Sequence, residues 1–185
     1  MKTQIIDNAL GSKQFKDIQQ ALLSHKFLWS FNDSIAKDVW IEGSDEDEDN
    51  YYFTNQLYIR NPNQKIISTL EHWPLQPLLR SVLQKDSKLI RVKANLYLRT
   101  DEIVHHNNHI DYEFEHSAAI LYLNTNDGLT VLEDGTEIES VANRLLLFDG
   151  SKPHHSTTCT DQKRRVNINM NYMTKSNLDL FRATH

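Results

Sequence analysis

The sequence holds one cysteine, four prolines and five glycines in 185 residues. A single thiol, Cys159, cannot form an internal disulfide; this fits a reducing compartment and makes the cytoplasm the expected location. So little glycine and proline excludes a collagen-like or low-complexity chain. No run approaches the ~18 apolar residues of a membrane-crossing helix. The opening Met1-Lys2-Thr3-Gln4-Ile5-Ile6-Asp7 also lacks the apolar stretch of a secretion signal. Positive charge is short as well, with 20 Lys and Arg against 25 Asp and Glu. Without a basic stripe studded with aromatics, such a balance argues against nucleic-acid binding. What is present, 39% hydrophobic residues, suffices for a core, since a chain of this size buries about 70% of its unfolded surface. One domain over residues 1–185 is expected, with an unspecified oligomeric state.

Periodicity divides the chain near residue 88. Before it, Ser12 is placed to cap a helix over Lys13–Ser24, with Phe15, Ile18 and Leu22 on one face. Pro74 suits the first turn of a second helix, in which Leu75, Leu78, Leu79, Val82 and Leu83 share a side. Five consecutive acids, Asp45 to Asp49, read as a solvated loop or as a lid attracting a cationic substrate. After residue 88 the period is two. In Leu89–Arg99, Ile90, Val92, Ala94, Leu96 and Leu98 oppose Arg91, Lys93, Asn95 and Tyr97. Ser117–Asn124 and Asn143–Asp149 are apolar on both faces, as in strands covered on both sides. Asp134-Gly135 marks a hairpin between Leu129–Leu132 and Thr136–Glu139. The pattern predicts an α+β, mainly β domain whose strands form a sandwich, jelly roll or barrel.

Arg165–Met173 alternates Val166, Ile168, Met170 and Tyr172 with Arg165, Asn167, Asn169 and Asn171. That second face is either solvated or the lining of a barrel mouth that holds a polar ligand. Histidines are also unevenly placed: His105, His106, His109 and His116 cluster, and His154-His155 form a doublet. His105, His106 and His116 read as surface residues near a loop, with support of a neighbouring site's ligands as the alternative. In His109-Ile110-Asp111, an extended backbone sends the imidazole and the carboxylate to the same side, where both reach one metal ion. A histidine from a distant strand would complete a 2-His-1-carboxylate face with open coordination positions, the arrangement suited to non-haem Fe(II). About one His-x-Asp/Glu triplet is expected by chance at this composition, so the spacing carries weight only through its surroundings.

Those surroundings are a strand containing Tyr97, then His109-Ile110-Asp111, Ile120-Leu121-Tyr122-Leu123-Asn124, Asn143-Arg144-Leu145-Leu146-Leu147-Phe148, Pro153-His154 and Arg165-Val166-Asn167-Ile168-Asn169. In this order, over Leu89 to Met173, the sequence resembles the Fe(II)- and 2-oxoglutarate-dependent oxygenases, in particular the small prolyl-4-hydroxylase-like members of bacteria and phages. The resemblance implies a double-stranded β-helix (jelly roll) over residues 88–175, with N-terminal helices packed on one sheet and a lid and specificity region within 1–87. It implies Fe(II) held by His109, Asp111 and His154, with His155 as the alternative distal ligand. It further implies 2-oxoglutarate gripped at its distal carboxylate by Arg165, with Tyr97, Tyr122 and Asn167 lining its pocket. The partners would then be 2-oxoglutarate, O2 and a peptide or small-molecule substrate, and the products would include succinate and CO2. One stretch departs from the pattern: Asn126-Asp127-Gly128-Leu129-Thr130 stands where relatives often carry a Gly-Gly-Glu-Thr type sequence.

Two other classes compete. A jelly-roll binding module could use the same ligands for an inert metal, but it would have no use for a carboxylate anchor such as Arg165. An interaction protein would work through its acidic run. Hydrolytic pairings, Cys159 with His155 or Ser156 with Asp161, lack a nucleophile context.

Overall fold

A computed structural model describes residues 2–33, 51–60 and 66–177. The acidic run at Asp45–Asp49, and with it the lid reading, lies outside the described residues. Eleven strands and two α-helices are described. In chain order they are β1 (Gln4–Ile6), α1 (Ser12–Leu22), β2 (Ser30–Asn32), β3 (Tyr52–Ile59), β4 (Ile67–Ser68), α2 (Gln76–Val82), β5 (Lys88–Leu98), β6 (Ser117–Tyr122), β7 (Asn126–Leu132), β8 (Glu137–Ser140), β9 (Leu145–Asp149), β10 (His154–Ser156) and β11 (Arg164–Met173). An eight-stranded sheet runs β1-β9-β6-β11-β5-β3-β2, with β4 beside β3, and a three-stranded sheet runs β10-β7-β8. Every strand pairing is antiparallel. Among the described residues, no helix is long and apolar enough to cross a membrane.

The two faces of the large sheet do different work. Its outer face carries Val92, Ala94 and Leu96 of β5 and Val166, Ile168 and Met170 of β11. These form one core with Ile18 and Leu22 of α1 and Leu78 and Val82 of α2. Each such fully buried aliphatic side chain contributes roughly 1.5–3 kcal/mol. Its inner face is divided. At β6 and β9 it is apolar: Ala118, Ile120, Tyr122, Leu146 and Phe148 pack with Ile138 of β8. At β5 and β11 it is polar, and the candidate site lies there.

Both helices differ from expectation at their starts. Ser12 is the first residue of α1, the cap position falls on Gly11, and no side-chain cap bond forms. The helix ends at Leu22, with the Leu23 N–H closing on the Gln19 carbonyl. In α2 the proline in the first turn is Pro77; Pro74 lies before the helix, which opens at Gln76. The hairpin between β7 and β8 matches its turn signal. Gly135 adopts φ +80, a left-handed conformation that glycine tolerates at no steric cost, while Asp134 Oδ1 accepts the Thr136 N–H at 2.9 Å.

A candidate metal centre on a polar floor

The register of β5 against β11 builds the floor. Arg165 lies opposite Tyr97, Asn167 opposite Asn95, Asn169 opposite Lys93 and Asn171 opposite Arg91. The polar row of β11 points into the molecule, with Arg165 and Asn171 at 0% exposure and Asn167 at 2%. It is therefore interior and not a solvated face. Burying so many polar groups is tolerated only where each finds partners.

Opposite this floor, the segment after β5 pairs with β10. The His109 N–H donates to the His154 carbonyl and the His154 N–H to that of His109, both at 3.0 Å. This two-bond bridge fixes the rings 4.6 Å apart between centroids. Asp111 follows two residues later, its N–H bonded to the Gly150 carbonyl at 3.3 Å. One ligand atom from each of His109, Asp111 and His154 lies within 4.8 Å of the others, and His154 Nε2 is 3.9 Å from Asp111 Oδ2.

The atoms around these three settle how each is presented. His154 Nδ1 lies 2.9 Å from the Lys152 carbonyl, and His109 Nδ1 lies 3.4 Å from that of Asn107. A carbonyl oxygen only accepts, so each Nδ1 carries the hydrogen and each Nε2 keeps its lone pair for a metal. Burial, reinforced by His154, pushes the His109 ring down to about 3, so it stays neutral as a ligand must. Asp111 Oδ1 accepts from Arg91 Nη2 at 2.5 Å. Its Oδ2 accepts from Asn171 Nδ2 at 2.7 Å and from Asn169 Nδ2 at 3.3 Å. Burial opposes the charge on Asp111, but the Arg91 guanidinium holds its carboxyl well below the usual range. Two imidazoles that present Nε2 and one ionised carboxylate form a donor set that fits a divalent first-row metal.

The histidine doublet is divided between two surroundings. His155 lies outside the metal group: its Nδ1 bonds Asn108 Oδ1 at 2.8 Å and its Nε2 faces His105 Nδ1 at 3.1 Å. His105 is exposed, as expected of a loop residue, but His106 and His116 are 5% and 1% exposed and are not surface residues. Both are tied inward by local bonds: His106 through its N–H to the Ser156 carbonyl and its Nδ1 to Ser156 Oγ, and His116 through its Nδ1 to the Phe114 carbonyl.

Arg165 is the other pole of the floor. Its Nε donates to Ser140 Oγ at 2.8 Å, Nη2 to Thr130 Oγ1 at 2.9 Å and Nη1 to the Thr157 carbonyl at 3.4 Å. The guanidinium lies over the rings of Tyr97 and Tyr122, 5.2 and 5.7 Å from their centroids. A guanidinium has five N–H donors, and none of these partners is a carboxylate. A fully buried cation without an anion is costly, so this pocket fits an anionic group. Gly128 makes room for the arrangement: a Cβ there would stand 2.6 Å from Arg165 Cδ and 2.5 Å from the Thr158 carbonyl. The departing stretch thus supplies the pocket with Gly128 and Thr130. Tyr122 donates to Thr130 Oγ1 at 2.8 Å, and Asn167 Oδ1 accepts from Asn95 at 3.0 Å.

Sequence reasoning gave no role to Arg91, Asn169, Asn171, Thr130 or Ser140. The first three stood in plain view as members of the two alternating polar rows. Thr130 and Ser140 carried no signal, because a hydroxyl on a short strand is an ordinary surface residue until the opposite sheet is placed.

No family model matches the chain, and no curated protein matches its sequence. Solved structures do match its fold. A 2OG-Fe(II) oxygenase family oxidoreductase from Burkholderia pseudomallei superimposes with a TM-score of 0.60 at 9% identity, over 92% of this chain and 84% of its own. A prolyl hydroxylase from Trichoplax adhaerens, in complex with a hypoxia inducible factor oxygen degradation domain peptide fragment, gives 0.57 at 16% identity, over 96% and 86%. The non-heme alpha ketoglutarate dependent epimerase SnoN of nogalamycin biosynthesis gives 0.57 at 12%, over 92% and 77%. The chain therefore has the jelly-roll fold seen in 2OG-Fe(II) oxygenases and prolyl hydroxylases, with a His-Asp-His group that could hold a metal.

Proposed function

We propose that the protein is an Fe(II)- and 2-oxoglutarate-dependent dioxygenase that hydroxylates a peptide or small-molecule substrate and releases succinate and CO2. The observation that carries this reading is the pairing of a His-Asp-His donor set above the polar floor with a fully buried arginine in that floor that has no carboxylate partner among the described residues. An inert structural metal explains the first and leaves the second without a purpose.

Ferrous iron and the oxo acid supply the oxidative chemistry when bound, and the chain supplies geometry and the exclusion of water. His109, Asp111 and His154 would hold the metal, their hydrogen-bond partners keeping two lone pairs and one charge directed at it. Arg165 would receive the distal carboxylate of 2-oxoglutarate in a site with so little water that the attraction is stronger than in bulk. Tyr97 and Tyr122 flank the guanidinium and wall the pocket, and Asn167 stands beside them on the inner face of β11.

The test is succinate and CO2 formation from 2-oxoglutarate with Fe(II) and O2, across peptide and metabolite pools. Turnover that needs both iron and the oxo acid, and that His109→Ala or Asp111→Ala abolishes together with metal binding, supports the reading. Tight metal binding with no decarboxylation under any pool returns the protein to a non-catalytic metal-binding module.

A further inference from the structure

His155 has no part in the metal centre, yet its surroundings repeat the way that centre presents its histidines. In β10 the alternation of a strand buries His154 and Ser156 on one face and turns the half-buried His155 to the other. There it meets His105, which lies on the segment leading to His109 and is bridged to Thr157. His105 Nδ1 and His155 Nε2 are 3.1 Å apart. The ring centroids are 5.4 Å apart and the planes are inclined at 64°, so the rings meet by their nitrogens and do not stack.

Hydrogen-bond direction identifies what these nitrogens offer. His155 Nδ1 lies 2.8 Å from Asn108 Oδ1. An amide oxygen only accepts, so Nδ1 carries the hydrogen of the neutral ring and Nε2 keeps its lone pair, facing His105. The Lys152 carbonyl serves His154 in the same way, and the Asn107 carbonyl serves His109. An acceptor behind the ring and a bare Nε2 in front is the support typical of metal-ligating histidines. His105 then donates from Nδ1 to His155. It is exposed, so its hydrogen can move to Nε2 and bond water, which leaves a second lone pair beside the first. Two nitrogens bound to one tetrahedral ion at about 2.0–2.1 Å stand about 3.3 Å apart, and the pair is already close to that spacing. A cavity of about 460 Å3 beside His155 is lined by Asn108, Glu133 and Pro153 among others. It has room for water ligands and carries one carboxylate on its wall.

We propose that His105 and His155 form a second metal site, on the face of β10 turned away from the first, for a borderline divalent ion of the Zn(II) type. Imidazole suits such ions, whereas Mn(II) prefers oxygen donors. The site uses none of His109, Asp111 and His154, so it is independent of the reading of the protein as an oxygenase. Its ion ties the segment before His109 to β10 through side chains. The backbone already joins the two through the His106 N–H on the Ser156 carbonyl and the His109–His154 bridge.

The experiment is calorimetry of Zn(II) and of Mn(II) on the full chain and two variants. His105→Ala removes one ligand from an exposed position; His155→Phe takes its place should that variant not fold. Asn108→Ala keeps both ligands and removes the acceptor behind one of them. The unmodified chain should bind one more equivalent of Zn(II) than His105→Ala, while the two bind Mn(II) alike. In Asn108→Ala that equivalent should persist with its Kd raised about 10- to 100-fold. The rise in Tm on adding Zn(II) should also be smaller in His105→Ala, since one folded-state ligand is lost. The same Zn(II) stoichiometry and Kd in the unmodified chain and His105→Ala would overturn the site, leaving a plain N–H···N bond. A Mn(II) equivalent lost in His105→Ala overturns the choice of ion. An unchanged Kd in Asn108→Ala overturns a built site and reduces the pair to two adjacent surface imidazoles. Both proteins share His109, Asp111 and His154, so failure of that centre to bind metal lowers both counts equally and leaves their difference intact.

Discussion

Asp111 and Arg165 are both buried ions, and they solve the problem of burial in opposite ways. Asp111 is satisfied by the protein itself, through Arg91, Asn169 and Asn171. Arg165 has hydroxyls, a carbonyl and two aromatic faces around it but no counter-ion among these partners. The contrast separates their mutational signatures. Arg91→Met removes a partner of Asp111 while leaving all three proposed metal ligands in place. Metal affinity should fall by about 10- to 100-fold, as for other supports of metal ligands, while the Kd of 2-oxoglutarate at saturating metal changes little. Arg165→Met should do the reverse, leaving metal affinity within a few-fold and weakening 2-oxoglutarate by about 100-fold or more, the usual cost of losing one side of a buried charged contact. Parallel Mn(II) and 2-oxoglutarate titrations decide the matter, and equal effects of the two substitutions on both ligands would refute the assignment. At this scale the sequence pointed to His109, Asp111, His154 and Arg165, because His-x-Asp and an arginine near the start of a strand are local patterns. It did not show what holds them. Arg91 and Asn171 are 80 positions apart and meet only because β5 and β11 pair in one register.

An element is held in place by contacts its own sequence does not announce, and Asn143 shows how. It precedes β9 with φ +64, a left-handed conformation that costs most residues about 1 kcal/mol and asparagine less. Its side chain accepts the Leu10 N–H at 3.0 Å and donates to the Leu10 carbonyl at 2.8 Å. Its own carbonyl accepts the Ala9 N–H at 3.0 Å. The chain leading into α1 is thereby stapled to the start of β9. Asn143→Ala loses two buried side-chain bonds and adds backbone strain, so it should destabilise the fold by about 2–4 kcal/mol in urea unfolding. Asn143→Gly loses the same bonds without the strain and should recover about 1 kcal/mol of that. A loss below 0.5 kcal/mol in both, roughly the size of an ordinary surface substitution, would show that the staple does not hold α1. The same dependence on distant partners explains which elements were legible. β5, β6, β9, β11 and the Asp134-Gly135 hairpin announce themselves by alternation, unbroken apolar runs or turn chemistry. β1, β2, β4 and β10 have two or three residues each, too few for any period to register, and exist because a neighbouring strand offers them bonds. β3 is long enough, but Thr54 pairs with Asn95 and Gln56 with Lys93, and the Tyr52 hydroxyl accepts from Lys93 Nζ at 3.1 Å, so one side of the strand extends the polar floor and its pattern blurs into that of a polar segment.

The fold keeps several buried imidazoles from taking up protons, and these make stability depend on pH in one direction. His106 and His109 are held down to about 3 chiefly by burial, against about 6.5 in an unfolded chain. Between these values the unfolded state binds protons that the folded state refuses, so stability rises with pH across the window and falls as acid is added. The contribution of these rings is complete above about 6.5 and is lost progressively toward 3. Asp111 works in the same sense. Its lowered carboxyl adds stability above the ordinary carboxylate value that is lost as pH falls below it, so it enters only at the acid end. Between pH 4.5 and 6 the histidines therefore dominate. Each refused proton contributes a slope of up to about 1.4 kcal/mol per pH unit. In metal-free protein, urea unfolding across that interval should show stability falling with acidification. His106→Phe, less stable or not at pH 7, should show a slope shallower by up to about 1.4 kcal/mol per unit, because its ring has no proton to refuse. Equal slopes in the two proteins would mean that His106 titrates alike folded and unfolded, contradicting a ring buried against Tyr97. Excess Mn(II) adds a separate term, since a metal that binds only the folded state stabilises it by mass action. Protons compete with that metal for the imidazoles proposed to hold it. The increment from Mn(II) should therefore shrink toward acid pH in both proteins alike, because His106 is not among the ligands.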